Sequence, residues 1–100
     1  MNDYADYLRR HRRLSILRTL EMAPGYQSNE SMITQVLNKL AIATTRDQVR
    51  TELVWLGEQG YVTTEEVAGL LIAEATLAGQ EIALGRRVHP DIEKPSPRKK

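Results

Sequence analysis

The sequence contains no cysteine and no phenylalanine, a single tryptophan, and only six glycines and four prolines among its 100 residues. Without cysteine there can be no disulfide and no thiolate metal ligand, which suits a reducing compartment. Without phenylalanine, the core must be filled by Leu, Ile and Val. No apolar run approaches the roughly 20 residues that cross a bilayer, and the chain opens on Met1-Asn2-Asp3-Tyr4-Ala5-Asp6 instead of a basic stretch and an apolar signal core. A soluble, cytoplasmic protein with no membrane partner is expected. The two histidines, His11 and His89, lie far apart, and the chain has no Gly-rich phosphate loop, nucleophile elbow or metal-ligand spacing. Glu65 and Glu66 are adjacent, but neighbours on a strand point to opposite faces and do not share a site. No catalytic residue, metal, cofactor or small-molecule ligand is therefore expected, and the chain does not read as an enzyme.

What is present is one domain's worth of ordinary globular composition, 41% apolar and 27% charged. The formal net charge of +1 conceals an asymmetry. Residues 1–28 hold Arg9, Arg10, Arg12, Arg13 and Arg18 against Asp3, Asp6 and Glu21. Residues 29–85 hold only Lys39, Arg46 and Arg50 against Glu30, Asp47, Glu52, Glu58, Glu65, Glu66, Glu74 and Glu81. The last fifteen are basic again, with Arg86, Arg87, Lys94, Arg98, Lys99 and Lys100 against Asp91 and Glu93. The ends are positive and the middle acidic, which any account of nucleic-acid binding has to meet.

Asn2 or Asp3 can cap a first helix running to about Met22, with Leu8, Leu14, Leu17 and Leu20 as its apolar stripe and Pro24-Gly25 as its stop. Ser28 or Asn29 can cap a second helix carrying Met32 or Ile33, then Val36, Leu37 and Leu40. After Ala41-Ile42-Ala43, either Thr44 or Thr45 can open a capping box with Asp47 or Gln48, and Val49, Leu53 and Leu56 form the inward stripe of a third helix ended by Gly60. The spacing predicts a buried seam between Val36/Leu40 and Val49/Leu53. Tyr61–Thr64 and Leu70–Ala75 read as the two strands of a hairpin turning at Ala68-Gly69, and Leu77, Ile82, Ala83 and Leu84 as a short closing helix ended by Gly85. The expected architecture is mainly α with a small β-hairpin: a domain over 1–85 and a flexible basic tail over 86–100.

Helix, helix, tight turn, helix, hairpin and helix is the order of a winged helix-turn-helix, with three helices, a two-stranded wing and a closing helix. The run Thr44-Thr45-Arg46-Asp47-Gln48-Val49-Arg50-Thr51-Glu52-Leu53, continued by Leu56-Gly57-Glu58-Gln59-Gly60-Tyr61-Val62, resembles the recognition helix and wing entry of winged-helix regulators of the MarR and ArsR type. Ala75-Thr76-Leu77-Ala78-Gly79-Gln80-Glu81 is similar to the segment where such proteins leave the wing. The chain also resembles the small winged-helix proteins encoded in Mu-like prophages. The likeness covers about residues 8–85 and rests mostly on core and turn residues. It implies a phage-encoded, DNA-binding transcriptional regulator.

In a helix-turn-helix the third helix enters the major groove. Its outward set is Arg46, Gln48, Arg50 and Thr51, residue types that read guanine, adenine, phosphate or the thymine methyl. Against this, Arg46 and Arg50 can instead be paired locally, with Asp47 and Glu52 as neighbours, and the wing offers Glu65 and Glu66 where a basic residue is usual. Arg9, Arg10, Arg12 and Arg13, with Arg86, Arg87 and the tail bases, are candidate phosphate contacts, although their positions wrap around the first helix and Asp6 can pair with Arg9 or Arg10. Trp55 lies off the inward stripe and can pack under the wing or the closing helix, or anchor a protein partner or a second copy. Duplex DNA is the leading partner. The alternative is a winged-helix interaction or dimerisation module.

Overall fold

The computed structural model describes residues 3–96. It comprises α1 (Asp3–Met22), a short 3₁₀ turn (Pro24–Tyr26), β1 (Gln27–Asn29), α2 (Glu30–Lys39), α3 (Arg46–Glu58), β2 (Val62–Val67), β3 (Leu70–Ala75) and α4 (Leu77–Ala83). The molecule is mostly helical, with four α-helices and one antiparallel sheet ordered β1-β3-β2.

The boundaries of α2 and α3 have local causes. The Asn29 side chain accepts the Met32 amide at 2.8 Å and starts α2. Thr45 starts α3 with a full capping box: its hydroxyl accepts the Gln48 amide (3.1 Å), and the Gln48 side chain accepts the Thr45 amide (2.9 Å). The ends of α2, α3 and α4 share one device. The amide after each left-handed residue reaches back to the third-last helical carbonyl: Ile42 to Leu37, Tyr61 to Leu56, and Arg86 to Glu81. Gly60 and Gly85 supply the positive φ in the last two, but in the turn between α2 and α3 it falls on Ala41 (φ 64°). Asn38 holds that turn closed, its carboxamide pairing with both the carbonyl and the amide of Thr44.

Leu14, Ile16, Leu17 and Leu20 of α1, Ile33 and Leu37 of α2, and Val49, Leu53 and Leu56 of α3 form the centre of the core, closed below by Leu71, Ala73 and Ala75 of β3 and by Ile82. The expected seam is half right: Val49 and Leu53 are buried, but α2 meets them with Ile33 and Leu37, while Val36 is only half-buried and Leu40 is 60% exposed. The phase of α2 is set by its first residue, Glu30, which points inward and puts 30, 33 and 37 on the buried face.

The expected two-stranded wing is corrected to a three-stranded sheet. β1 pairs with β3 through Gln27↔Glu74, Ser28↔Ala73 and Asn29↔Ile72. Three polar residues cannot display an alternating pattern, so only the partner strand reveals them. The hairpin β2–β3 turns at Ala68 and Gly69, both at positive φ as a type I′ turn requires. Beyond Gly85, residues 86–96 form no helix or strand but lie along the body as a strap: Ile92 is 3% exposed, the Glu93 amide donates to the Arg10 carbonyl (3.2 Å), and Arg13 donates to the Asp91 carbonyl (3.0 Å). The last core residue thus lies beyond the expected domain boundary at 85. Arg98, Lys99 and Lys100, like Asn2 as a cap, fall outside the described residues.

Candidate functional site

The exposed side of α3 is bounded by two arginine clusters, and each is built around a buried acid. On the hairpin side, Glu30 is 1% exposed. Arg50 grips it with two hydrogen bonds (Nε to Oε1 3.0 Å, a terminal nitrogen to Oε2 2.9 Å), Arg46 reaches it at 3.4 Å, and the Leu71 amide donates to it at 2.6 Å. Arg46 and Arg50 also approach the Gly69 carbonyl in the hairpin turn, and Arg50 lies 3.6 Å from Glu66. One carboxylate therefore ties the start of α2, the middle of α3 and the hairpin together. The Arg50 hydrogen bonds, supported by the Leu71 amide and Arg46, outweigh the opposing effect of burial and hold Glu30 down to about 2 from an ordinary 4.5. The same bonds push Arg50 further up.

On the opposite side, Arg13 meets Glu52 at 2.6 Å with both side chains largely buried, and its guanidinium lies 3.7 Å above the Trp55 ring. His89 of the strap closes on Trp55 edge-on, at 5.3 Å between centroids. Elsewhere, Arg9 pairs with Asp6 (3.7 Å), Arg10 with Glu93 (3.3 Å) and Arg87 with Glu81 (2.9 Å). Four arginines of the two basic end segments, Arg9, Arg10, Arg13 and Arg87, thus have acid partners within the chain. Arg12 differs: it is 7% exposed, and its Nε has no acceptor.

Two open clefts flank these elements. One, of about 470 Å³, lies between α1 and α3 and is lined by Arg9, Arg12, Asp47, Gln48, Thr51 and Trp55, among others. The second, of about 600 Å³, lies between α1 and the end of α2 and is mainly apolar, with Met22, Val36, Leu40 and Ile42 on its walls. Among the described residues no group of three or more acids or histidines is placed to hold a metal ion, and no helix is long and apolar enough to cross a membrane.

The chain is similar to the uncharacterized protein gp26 of Escherichia phage Mu, with 38% identity over 93 residues that cover 93% of this chain and 96% of the phage protein. It belongs to the gp26 family. A second relative is an uncharacterized protein of Haemophilus influenzae, 39% identical over 74 residues, or 73% of this chain and 72% of that protein. No protein-family model matches, and no solved structure matches. The expected kinship with Mu phage proteins therefore stands, whereas no family match supports the MarR/ArsR likeness.

In this gp26-family chain the four residues expected at the DNA do not form one open set. Arg50 is engaged with Glu30, Arg46 partly so, and the Gln48 oxygen is occupied by the cap. Thr51 is exposed. Local pairing of Arg46 and Arg50 does occur, but with Glu30 and Glu66 instead of Asp47 or Glu52. Trp55 has its ring against Arg13 and His89 of its own chain. Sequence reasoning missed Glu30, whose partners stand 16, 20 and 41 residues away. The one available signal was its position just after a capping asparagine, in phase with Ile33 and Leu37.

Proposed function

We propose that this gp26-family protein is a cytoplasmic, phage-type DNA-binding regulator: a winged helix-turn-helix that places α3 in the major groove of duplex DNA. The element order of helix, short strand, helix, tight turn, helix and hairpin supports the winged-helix reading. The observation that carries the DNA reading is the disposition of charge about α3. Arg46 and Arg50 border its exposed face on the hairpin side and Arg9 and Arg12 on the α1 side, with Gln48 and Thr51 also on the α1 side. Cations on both sides of a helix match the two phosphate chains that border a groove. In this reading Arg46, Gln48 and Thr51 face the bases, while Arg50, locked to Glu30, fixes the hairpin relative to α3. Glu65 and Glu66 keep the hairpin clear of the minor groove.

Fluorescence anisotropy with pooled random duplexes tests it. Affinity should fall steeply between about 50 and 200 mM salt, and Arg46→Ala should weaken binding by roughly tenfold while leaving the fold intact. Lack of any binding at the lower salt removes the proposal.

A second reading, a protein-interaction or dimerisation module, is favoured by the apolar cleft between α1 and α2, where Met22 and Leu40 are exposed. It expects a second copy at that cleft, so that sedimentation gives a dimer for the wild type and a monomer for Leu40→Asp. Identical monomers in both samples exclude it.

A further inference from the structure

Arg12 is the one arginine of the α1 cluster that is buried without a counter-ion. Its neighbours Arg9, Arg10 and Arg13 each have an acid within ion-pair distance. Among the described residues Arg12 has no ion pair and no side-chain hydrogen bond, its Nε is sealed from solvent without an acceptor, and the residue lines the cleft between α1 and α3. Its two terminal nitrogens also lack partners but keep contact with solvent, so they are the groups open to a ligand in the cleft.

We propose that this cleft is a binding site for one phosphate-class oxyanion, held by Arg12. The planar guanidinium offers two parallel N–H groups to two oxygens of a tetrahedral anion, a match that a point charge lacks. Other donors stand ready on the α3 wall. The Gln48 side-chain oxygen is fixed on the Thr45 amide at 2.9 Å, which turns the NH₂ end of the same amide away from the cap. The Thr51 hydroxyl, one helical turn further along the same wall, makes no hydrogen bond among the described residues. The capped start of α3 contributes the positive end of its dipole. Two acids share the cleft. Glu52 is neutralised by Arg13 at 2.6 Å, and Arg9 is shared with Asp6 outside the cleft at 3.7 Å, so the lining holds Arg9, Arg12 and Arg13 against Asp47 and Glu52. A volume of about 470 Å³ admits more than a bare phosphate, so the anion can belong to a larger molecule. The site goes beyond the DNA reading and does not require it: the oxyanion can be a backbone phosphodiester or a free phosphate.

The test is a titration of the full chain with inorganic phosphate at constant ionic strength, followed by nitrogen-resolved NMR. The Arg12 Nε–H, the Gln48 side-chain amide and the Thr51 backbone amide should shift together and saturate. Arg12→Met, which keeps an unbranched apolar stem but removes the guanidinium, should weaken binding at least tenfold with no loss of thermal stability. Thr51→Val should weaken it about fivefold and provides a second variant should Arg12→Met fail to fold. Unmoved Arg12 and Gln48 signals, or an Arg12→Met protein that titrates like the wild type, overturn the proposal. A short duplex added in place of phosphate separates the sources. If it shifts the same signals and is displaced by phosphate, the anion is a DNA phosphate. If only free phosphate binds, the site serves a small phosphorylated ligand, and the DNA reading fails while the site stands.

Discussion

Glu30→Ala is expected to destabilise the protein by about 3 kcal/mol, read as a fall in Tm of more than about 10 °C for a domain of this size. The carboxylate is buried, is held by Arg50 and Arg46, and is the acceptor for the Leu71 amide in the hairpin, so its removal leaves a strand donor without a partner. The two arginines are partly exposed and can rehydrate, which keeps the loss at the lower end for a broken buried pair. The same contacts depress the titration of Glu30, and a fall from 4.5 to about 2 corresponds to about 3 kcal/mol of stabilisation at neutral pH. The sign follows from the direction. A carboxylate whose folded-state value lies below its unfolded one contributes fully above about 4.5, and the contribution is lost as pH falls toward 2. Glu30→Gln retains an acceptor for Leu71 but not the charge. Its stability deficit against the wild type should be constant near neutral pH and should close between pH 4.5 and 2. Parallel denaturation curves across that range would show that Glu30 is not the anchor described.

Gly79→Ala is expected to cost about 3 kcal/mol, although alanine is favoured over glycine in a helix by about 1 kcal/mol. Gly79 lies in the first turn of α4, and a Cβ there would overlap the Tyr61 carbonyl oxygen and stand 3.0 Å from its carbon. That carbonyl cannot move aside, because it accepts the Thr76 amide at 3.0 Å, and the Thr76 hydroxyl in turn donates to the Gly60 carbonyl at 2.7 Å. The added methyl therefore has to push α4 off the start of β2, a case of overpacking against backbone. Gly57→Ala is the control. Its Cβ would meet the Val62 carbonyl oxygen at 3.8 Å, ordinary contact, so the same chemical change in α3 should be neutral or stabilising. A Gly79→Ala protein as stable as the Gly57→Ala protein in chemical denaturation would refute this account of the α4 approach.

The elements that could be read from the sequence are those whose causes are local. The Thr45/Gln48 box, the Asn29 cap, the Gly60 stop and the Ala68-Gly69 turn each involve residues within a few positions, and helical spacing located Val49, Leu53 and Leu56 without ambiguity. The phase of α2 was not legible, because Val36 and Leu40 match the helical period as well as Ile33 and Leu37 do, and the choice is made by Glu30 binding to α3 and the hairpin. β1 was invisible for the same reason: its pairing depends on β3, more than forty residues later. The candidate site fared similarly. Residue types identified Arg46 and Arg50 as notable, yet whether an arginine is spent on a buried acid or left open depends on partners such as Glu30, Glu52 and Glu93 that lie far along the chain. Arg12 could not be distinguished from Arg9, Arg10 or Arg13 before the packing of α1 was known.

The strap has a practical corollary. Because its His89 closes edge-on against Trp55, whose face already carries Arg13 from α1, the chain's sole indole sits where α1 and the strap meet. Tryptophan emission is therefore a built-in gauge of whether the C-terminal segment is docked, and it can be followed without attaching a label.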